Sequence, residues 1–205
     1  LSSSSAASDV YKRQELHSFI IDNINDFDLV IVSDYGHGFI SKKTAEMISE
    51  KSNFISVNAQ INAANIGFHT MNNYFKADCA IINETEIRHE LRDRNGKLEV
   101  LMETLANNLQ LKTLIVTSGS QGATLYNSSK NEFYHCPAFA SKIVDKIGSG
   151  DAMLALLSCC LKLGFEPEVA LLFGSLAAAQ SVESIGNSVP VNKIKMLKSL
   201  KALLS

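Results

Sequence analysis

Four short apolar runs, each closing on polar residues, constrain this chain more than any other feature. They are Asp28-Leu-Val-Ile-Val-Ser-Asp34, Phe54-Ile-Ser-Val-Asn58, Cys79-Ala-Ile-Ile-Asn83 and Thr113-Leu-Ile-Val-Thr117. A strand with one wet face alternates apolar and polar side chains, whereas a run as continuous as 29–32 is how a buried parallel strand reads. Helical stretches fall between the runs: from Glu15 to about Asn25, from an N-cap at Ser41 to about Lys51, and over Leu98 to Leu109. After the fourth run, Gly122 to Tyr126 and Glu132 to Cys136 flank the loop Asn127-Ser-Ser-Lys-Asn131 and predict an antiparallel hairpin at the sheet's edge. The last third turns helical, over Gly148 to Leu163, Pro167 to about Glu183 and Asn192 onward, with Gly164 and Gly186 as stops. Strands alternating with helices predict a three-layer, doubly wound α/β domain with a mostly parallel sheet, its ligands beyond the carboxyl ends of the strands.

Composition permits such a core and removes several function classes. With 46% hydrophobic and 20% charged residues in 205, the chain reads as a soluble globular protein. A net charge of -2 with scattered Lys and Arg builds no basic stripe, so nucleic acid is not an expected partner. The longest apolar stretch, Met153 to Leu163, is interrupted by Ser158 and Lys162, so no membrane span is expected. Cys79, Cys136, Cys159 and Cys160 form no Cys-x-x-Cys pair and no zinc spacing; adjacent Cys159 and Cys160 read as packing residues, and a reducing cytoplasm fits best. The basic, Leu-rich tail from Lys193 reads as a terminal helix packing its apolar face on the domain. The first fourteen residues, Leu1 to Gln14, differ in character from the rest and read as translated adapter sequence, leaving 15–205 as the domain.

Chemistry concentrates in Asp145-Lys-Ile-Gly-Ser-Gly-Asp-Ala152, which runs into the apolar helix from Met153. Glycines at a helix start let the backbone approach a ligand, and the unpaired N–H groups and positive dipole end favour an anion. Gly148, Ser149 and Gly150 are the candidate donors to a transferring phosphoryl group. Asp151, kept ionised in the first turn, is the candidate proton acceptor. Glycines in a turn with an acid stabilising a helix start is the structural alternative. The spacing fits neither the dinucleotide fingerprint nor a Gly-x-x-x-x-Gly-Lys loop. Asn83-Glu-Thr-Glu86, where the third run meets a helix, offers Asn83 and Glu86 for Mg2+ through water, or equally a capping box. Thr117-Ser-Gly-Ser-Gln-Gly122, following the fourth run, makes room for a flat or phosphorylated ligand or is a plain turn. Ser33-Asp-Tyr-Gly-His-Gly38 puts Asp34 at the same rim, as a contact to a sugar hydroxyl or as a turn residue, with His37 an exposed loop residue.

These elements together resemble the ribokinase-like PfkB sugar kinases from about Asp28 to the C-terminus. The Asp-x-x-Gly-x-Gly-Asp signature is present as Asp145, Gly148, Gly150 and Asp151; the resemblance implies that Asp151 is the base and the glycine turn the anion hole. The family's Asn-x-x-Glu motif corresponds to Asn83 and Glu86, tied to Mg2+ and phosphate. Its Thr-x-Gly-x-x-Gly element, lining the ATP site, corresponds to Thr117, Gly119 and Gly122, with Ser118 between. Implied in turn are a ribokinase-like fold, ATP and Mg2+, a sugar or sugar-phosphate acceptor and a homodimer of the complete protein. Ser33-Asp-Tyr-Gly-x-Gly and Val57-Asn-Ala-Gln60 lean toward the heptose-7-phosphate kinase branch, which phosphorylates an anomeric hydroxyl, although His37 stands where that branch has Lys.

Other positions depart from the family. Lys146 replaces the usual Thr and Ser149 the usual Ala. The first of these bears on the monovalent-cation (K+) site that some relatives build near Asp145 and the loop Ser184 to Ser188. Relatives also carry, ahead of this region, a portion with a Gly-Gly substrate element and a lid that is not found here, so the sequence reads as a C-terminal fragment of weak activity. A fused nucleotidyltransferase domain is left open. The alternative from another class is a nucleotide-binding or interaction module derived from a kinase and without catalysis.

Overall fold

The computed structural model describes residues 3–60, 71–140 and 142–203. Six strands form one sheet in the order of the chain: β1 (Val30–Asp34), β2 (Ile55–Ala59), β3 (Cys79–Asn83), β4 (Thr113–Thr117), β5 (Ala123–Asn127) and β6 (Glu132–Cys136). β1 to β4 are parallel and β4 to β6 antiparallel, so the mixed sheet with a hairpin edge is present as expected. The helices are α1 (Ser3–Asn23), α2 (Lys42–Lys51), α3 (Glu84–Glu90), α4 (Leu98–Leu109), α5 (Ser149–Lys162), α6 (Pro167–Ser181) and α7 (Lys193–Leu203).

Helix boundaries follow local chemistry. Ser41 caps α2, its hydroxyl accepting from the Thr44 N–H at 3.2 Å, which satisfies one of the orphan donors of the first turn. Asn192 does the same for α7 through Lys195 N–H at 3.1 Å. Pro167 opens α6, where its missing N–H costs nothing.

Two cores lie on opposite faces of the sheet. Ala80, Ile82, Leu114 and Val116 join Val57, Met102, Leu105 and Tyr74 under α2 and α4. Their strand neighbours Cys79, Ile81 and Ile115 turn the other way, joining Ala123 and Leu125 against Met153, Leu154, Leu157 and Leu171 of α5 and α6. Period-two alternation on strands buried on both sides thus builds three layers. α5 and α6 press closely, because a Cβ at Gly174 would stand 3.0 Å from Leu157 Cβ. α7 contributes Met196 and Leu200 to a smaller cluster with Leu176 and Ala177.

Two expectations need correction. The run at β1 is not covered on both faces: β1 is the sheet's edge strand among the described residues, and Ile31 is 40% exposed. Of the adjacent cysteines Cys160 is buried, whereas Cys159 lies on the solvent side of α5. Tyr11, Lys12 and Gln14 of the opening segment are exposed, and Ile20 of α1 packs against the core. The Asn-rich stretch after β2 falls largely outside the described residues. Among the described residues no helix is long and apolar enough to cross a membrane.

Candidate active site at the carboxyl rim of the sheet

Register decides which polar residues meet. Ser33, Asn58, Ile81 and Ile115 stand in one row across β1 to β4, and Ile81 and Ile115 face α5 and α6. Ser33 and Asn58 therefore face α5, as do Asn83 and Thr117 two residues further along their strands. Asp34 has the opposite parity and faces the α2 and α4 side with Val32.

α5 opens over that row. Gly148 precedes it at φ 79, a left-handed turn that a side chain would strain. Asp151 sits in the helix's first turn, where the dipole favours its negative charge. Its Oδ1 accepts from Ser33 Oγ at 2.6 Å and Asn58 Nδ2 at 3.2 Å; Oδ2 accepts from Tyr35 Oη at 3.0 Å. Three donors from β1, the loop after it and β2 thus converge on one carboxylate at a helix N-terminus.

Of the three donors expected at this turn, Ser149 is engaged within the turn itself. Ser149 N–H turns back to Lys146 O at 3.4 Å, and its hydroxyl donates to the same oxygen at 2.9 Å. Gly148 shapes the turn, and the N–H groups of Gly150 and Asp151 have no intrahelical acceptor, as suits a helix start that meets an anion. Asp145 anchors the loop. Its carboxylate accepts from Ile147 N–H at 3.0 Å and from Gly186 N–H at 2.9 Å, in the turn after α6. These backbone donors, Ile147 first, hold its carboxyl below the usual range.

Asn83 and Glu86 form a full capping box. Glu86 N–H donates to Asn83 Oδ1 at 2.8 Å, and Asn83 N–H to Glu86 Oε2 at 3.0 Å. The structural alternative is therefore present, and it fixes both side chains at the rim. β3 is the strand next to β2, so Asn83 stands about 5 Å sideways from the strand carrying Asn58. The hydrogen bonds of Asp151 go to Ser33, Tyr35 and Asn58, not to Asn83 or Glu86. Beside the box, the Arg88 guanidinium, which donates to Glu84 Oε1 at 2.8 Å, holds the Glu84 carboxyl below its usual range.

In that loop the two glycines differ. Ser118 N–H donates to Gly122 O at 2.8 Å and closes the turn. A Cβ on Gly122 would lie 2.1 Å from Cys136 O, whereas a Cβ on Gly119 would meet nothing within 4 Å. Gly122 is required by the β5–β6 backbone beside it, while Gly119 leaves open space at the rim next to Thr117.

Asp34 does not join the site. It is 4% exposed, and its carboxylate accepts from Gly36 N–H at 3.0 Å and from Tyr74 Oη at 2.5 Å. Burial, then the Asp34 carboxylate, pushes the Tyr74 hydroxyl well above its ordinary value. Asp34 thus pins the start of the loop, the turn role that the sequence offered beside a sugar contact. The residues that do reach Asp151, namely Ser33, Tyr35 and Asn58, appear in the sequence within the two branch motifs and are given no role at the site there. The parity of Ser33 and Asn58 with Ile81 was the available signal, but it needs the register to be read.

Comparison with known proteins places this geometry. The pfkB family carbohydrate kinase profile matches residues 4–194. The Bifunctional protein HldE of Campylobacter jejuni is 28% identical over 195 residues, covering 93% of this chain and 41% of that protein. The chain thus spans about two fifths of the length of such relatives. A crystal structure of ribokinase from Thermotoga maritima aligns with a TM-score of 0.71 at 26% identity, over 88% of this chain and 59% of that one. Phosphofructokinase-2 from Escherichia coli, in complex with potassium, aligns with a TM-score of 0.76 over 94% of this chain and 62% of that one; at 13% identity it bears on fold alone. With the family match running through the sheet, the Asp145 to Asp151 turn and the helix it opens, the chain belongs to the pfkB family of carbohydrate kinases.

Proposed function

We propose that this chain carries the phosphoryl-transfer site of an ATP-dependent carbohydrate kinase whose acceptor is a sugar or sugar-phosphate hydroxyl. The observation that carries the reading is the Asp151 carboxylate, held at the N-terminus of α5 beside the N–H groups of Gly150 and Asp151. Asp151 takes the proton of the acceptor hydroxyl. That oxygen bonds to the γ-phosphorus, the bond from phosphorus to the bridging oxygen breaks, and ADP leaves with the electron pair. The N–H groups at the helix start meet the charge on the transferring group, where preorganised donors lower the barrier most.

Mg2+, when bound with the nucleotide, supplies neutralisation of the phosphate charge. Among the described residues no group of three or more His, Cys, Asp or Glu could cage a metal. Asn83 and Glu86 fit a role through water or phosphate, consistent with an ion that keeps much of its hydration. Thr117, Ser118 and the open space at Gly119 line the nucleotide side. The Asp145 carboxylate, beside which a K+ site would lie, already accepts from Ile147 and Gly186. The finer reading, a heptose 7-phosphate 1-kinase, rests on Ser33-Asp-Tyr-Gly-x-Gly and on the similarity to HldE proteins.

The test is Asp151→Asn in the full-length gene product. Turnover should fall by about 10^3-fold or more while ATP affinity changes less than about threefold, because one proton acceptor is lost and the nucleotide contacts stay. Turnover within tenfold of wild type would remove Asp151 from the role of base.

A further inference from the structure

Resting on the reading of Asp151 as the base, we infer that Tyr35 is a displaceable stand-in for the acceptor hydroxyl, and that Ser33 and Asn58 are positioning residues that leave Oδ2 as the oxygen taking the proton. The two carboxylate oxygens are treated differently. Oδ1 accepts two hydrogen bonds, from Ser33 at 2.6 Å and Asn58 at 3.2 Å. Both donors sit on paired strands, and Ser33 and Asn58 are register partners. Asn58 is 5% exposed. With both lone pairs engaged by groups of the sheet, Oδ1 is a poor proton acceptor and a good anchor.

Oδ2 accepts from Tyr35 at 3.0 Å. Tyr35 follows β1 in the loop that bends through Gly36 and Gly38, both at positive φ, and it is 49% exposed. Its hydroxyl therefore occupies the place and distance that an alcohol must reach to hand a proton to Oδ2. An acceptor sugar cannot approach that oxygen along the same line until Tyr35 leaves it. Because the residue is half in solvent, water can take over the hydrogen bond to Oδ2 when the hydroxyl leaves it. Once Tyr35 has swung away, Ser33 and Asn58 still fix the carboxylate plane, and the bare Oδ2 is the stronger base of the two. The proton passes from the acceptor hydroxyl to Oδ2 as its oxygen bonds to phosphorus and ADP departs, and Asp151 then releases the proton to water.

Steady-state kinetics on the full-length gene product test this. Heptose 7-phosphate, ribose and fructose 6-phosphate are offered with Mg-ATP, and the best acceptor is used. Tyr35→Phe should lower KM for the acceptor about three- to tenfold, at unchanged or raised kcat, since the competing hydroxyl is gone. Asn58→Ala, and Ser33→Ala as the exposed and better tolerated variant, should lower kcat about ten- to a hundredfold with acceptor KM within about twofold. An acceptor KM unchanged or raised in Tyr35→Phe overturns the stand-in role. A kcat in Ser33→Ala equal to wild type overturns the positioning role. Asp151→Asn separates the two levels: if it abolishes turnover while Tyr35→Phe does not lower KM, the base stands and this inference fails. If Asp151→Asn stays active, or wild type turns over none of the acceptors, the base assignment or the kinase reading falls and takes the inference with it.

Discussion

Gly119 and Gly122 sit three residues apart in one turn, and replacing each by Ala should have opposite consequences. At Gly122, φ 92 and ψ -139 lie in a region that residues with a Cβ scarcely enter, a strain of about 1–3 kcal/mol. The added carbon would lie 2.1 Å from Cys136 O and 2.8 Å from Pro137 Cα, so it must retreat by more than 1 Å to reach the 3.4 Å of ordinary contact. That retreat pulls on the Ser118 to Gly122 hydrogen bond and on the last pairing of β5 with β6, Ala123 with Cys136. Losing one such bond costs about 0.5–1.5 kcal/mol. Together these put Gly122→Ala near 3 kcal/mol of lost stability, a drop of about 6–12 °C in Tm for a chain of this size. Gly119→Ala meets no atom within 4 Å and carries only the left-handed backbone at φ 57, about 1–2 kcal/mol. Its effect should appear in ATP affinity, because the methyl group fills space left open at the rim. Urea unfolding gives the stabilities and titration calorimetry with Mg-ATP the affinities. Equal destabilisation by the two substitutions would refute the division into a packing glycine and a ligand-facing one.

Other outcomes follow from single contacts. Tyr74→Phe removes a donor from the buried Asp34 carboxylate, and urea unfolding should show a loss of about 1–3 kcal/mol. Asn83→Ala breaks the capping box of α3, costing about 1 kcal/mol, and should weaken Mg-ATP binding in the same preparation. For Asp145, whose folded pKa lies below its ordinary 3.8 because Ile147 and Gly186 N–H groups favour the anion, the stabilisation is complete above that value and fades as pH falls through the folded one. The stability gap between wild type and Asp145→Asn should therefore be constant from neutral pH to about pH 5 and narrow below it; a gap of fixed size down to acid unfolding would contradict this.

The fold was legible where one residue's neighbours along the chain carry the information. Leu114, Ile115 and Val116 announce a strand buried on both faces, Ser41 announces the start of α2, and the Asn127 to Asn131 loop announces the hairpin. What local pattern does not encode is rank order across the sheet. The run 29–32 is as apolar as the others, yet β1 lies at an edge, because its position depends on which strands pair with it. The site divides in the same way. Gly148, Gly150 and Asp151 are adjacent and could be read as a unit. Asn58 looks like the polar end of a strand, and Tyr35 like a loop aromatic, until register and helix docking bring them to Asp151. Asp34 shows the same limit: one residue of offset sends a strand side chain to the opposite face, and only register tells which of its two readings the fold favours.

The order of the strands has a consequence for how the site comes into being. Each strand pairs with the one that precedes it in the chain; Val30, for example, meets Ile55 across a separation of 25 positions. Such short closures favour growth of the sheet at its advancing edge, strand upon strand. The contact between Ser33 and Asp151 spans 118 positions, and it forms only when α5 returns across the finished sheet to β1. On the proposed reading, nascent or partly unfolded molecules can thus possess the turns that would receive a nucleotide before Asp151 has reached Ser33 and Asn58. Competence for the proposed transfer would then arrive with the last layer, when the carboxylate proposed as proton acceptor meets the surface it serves.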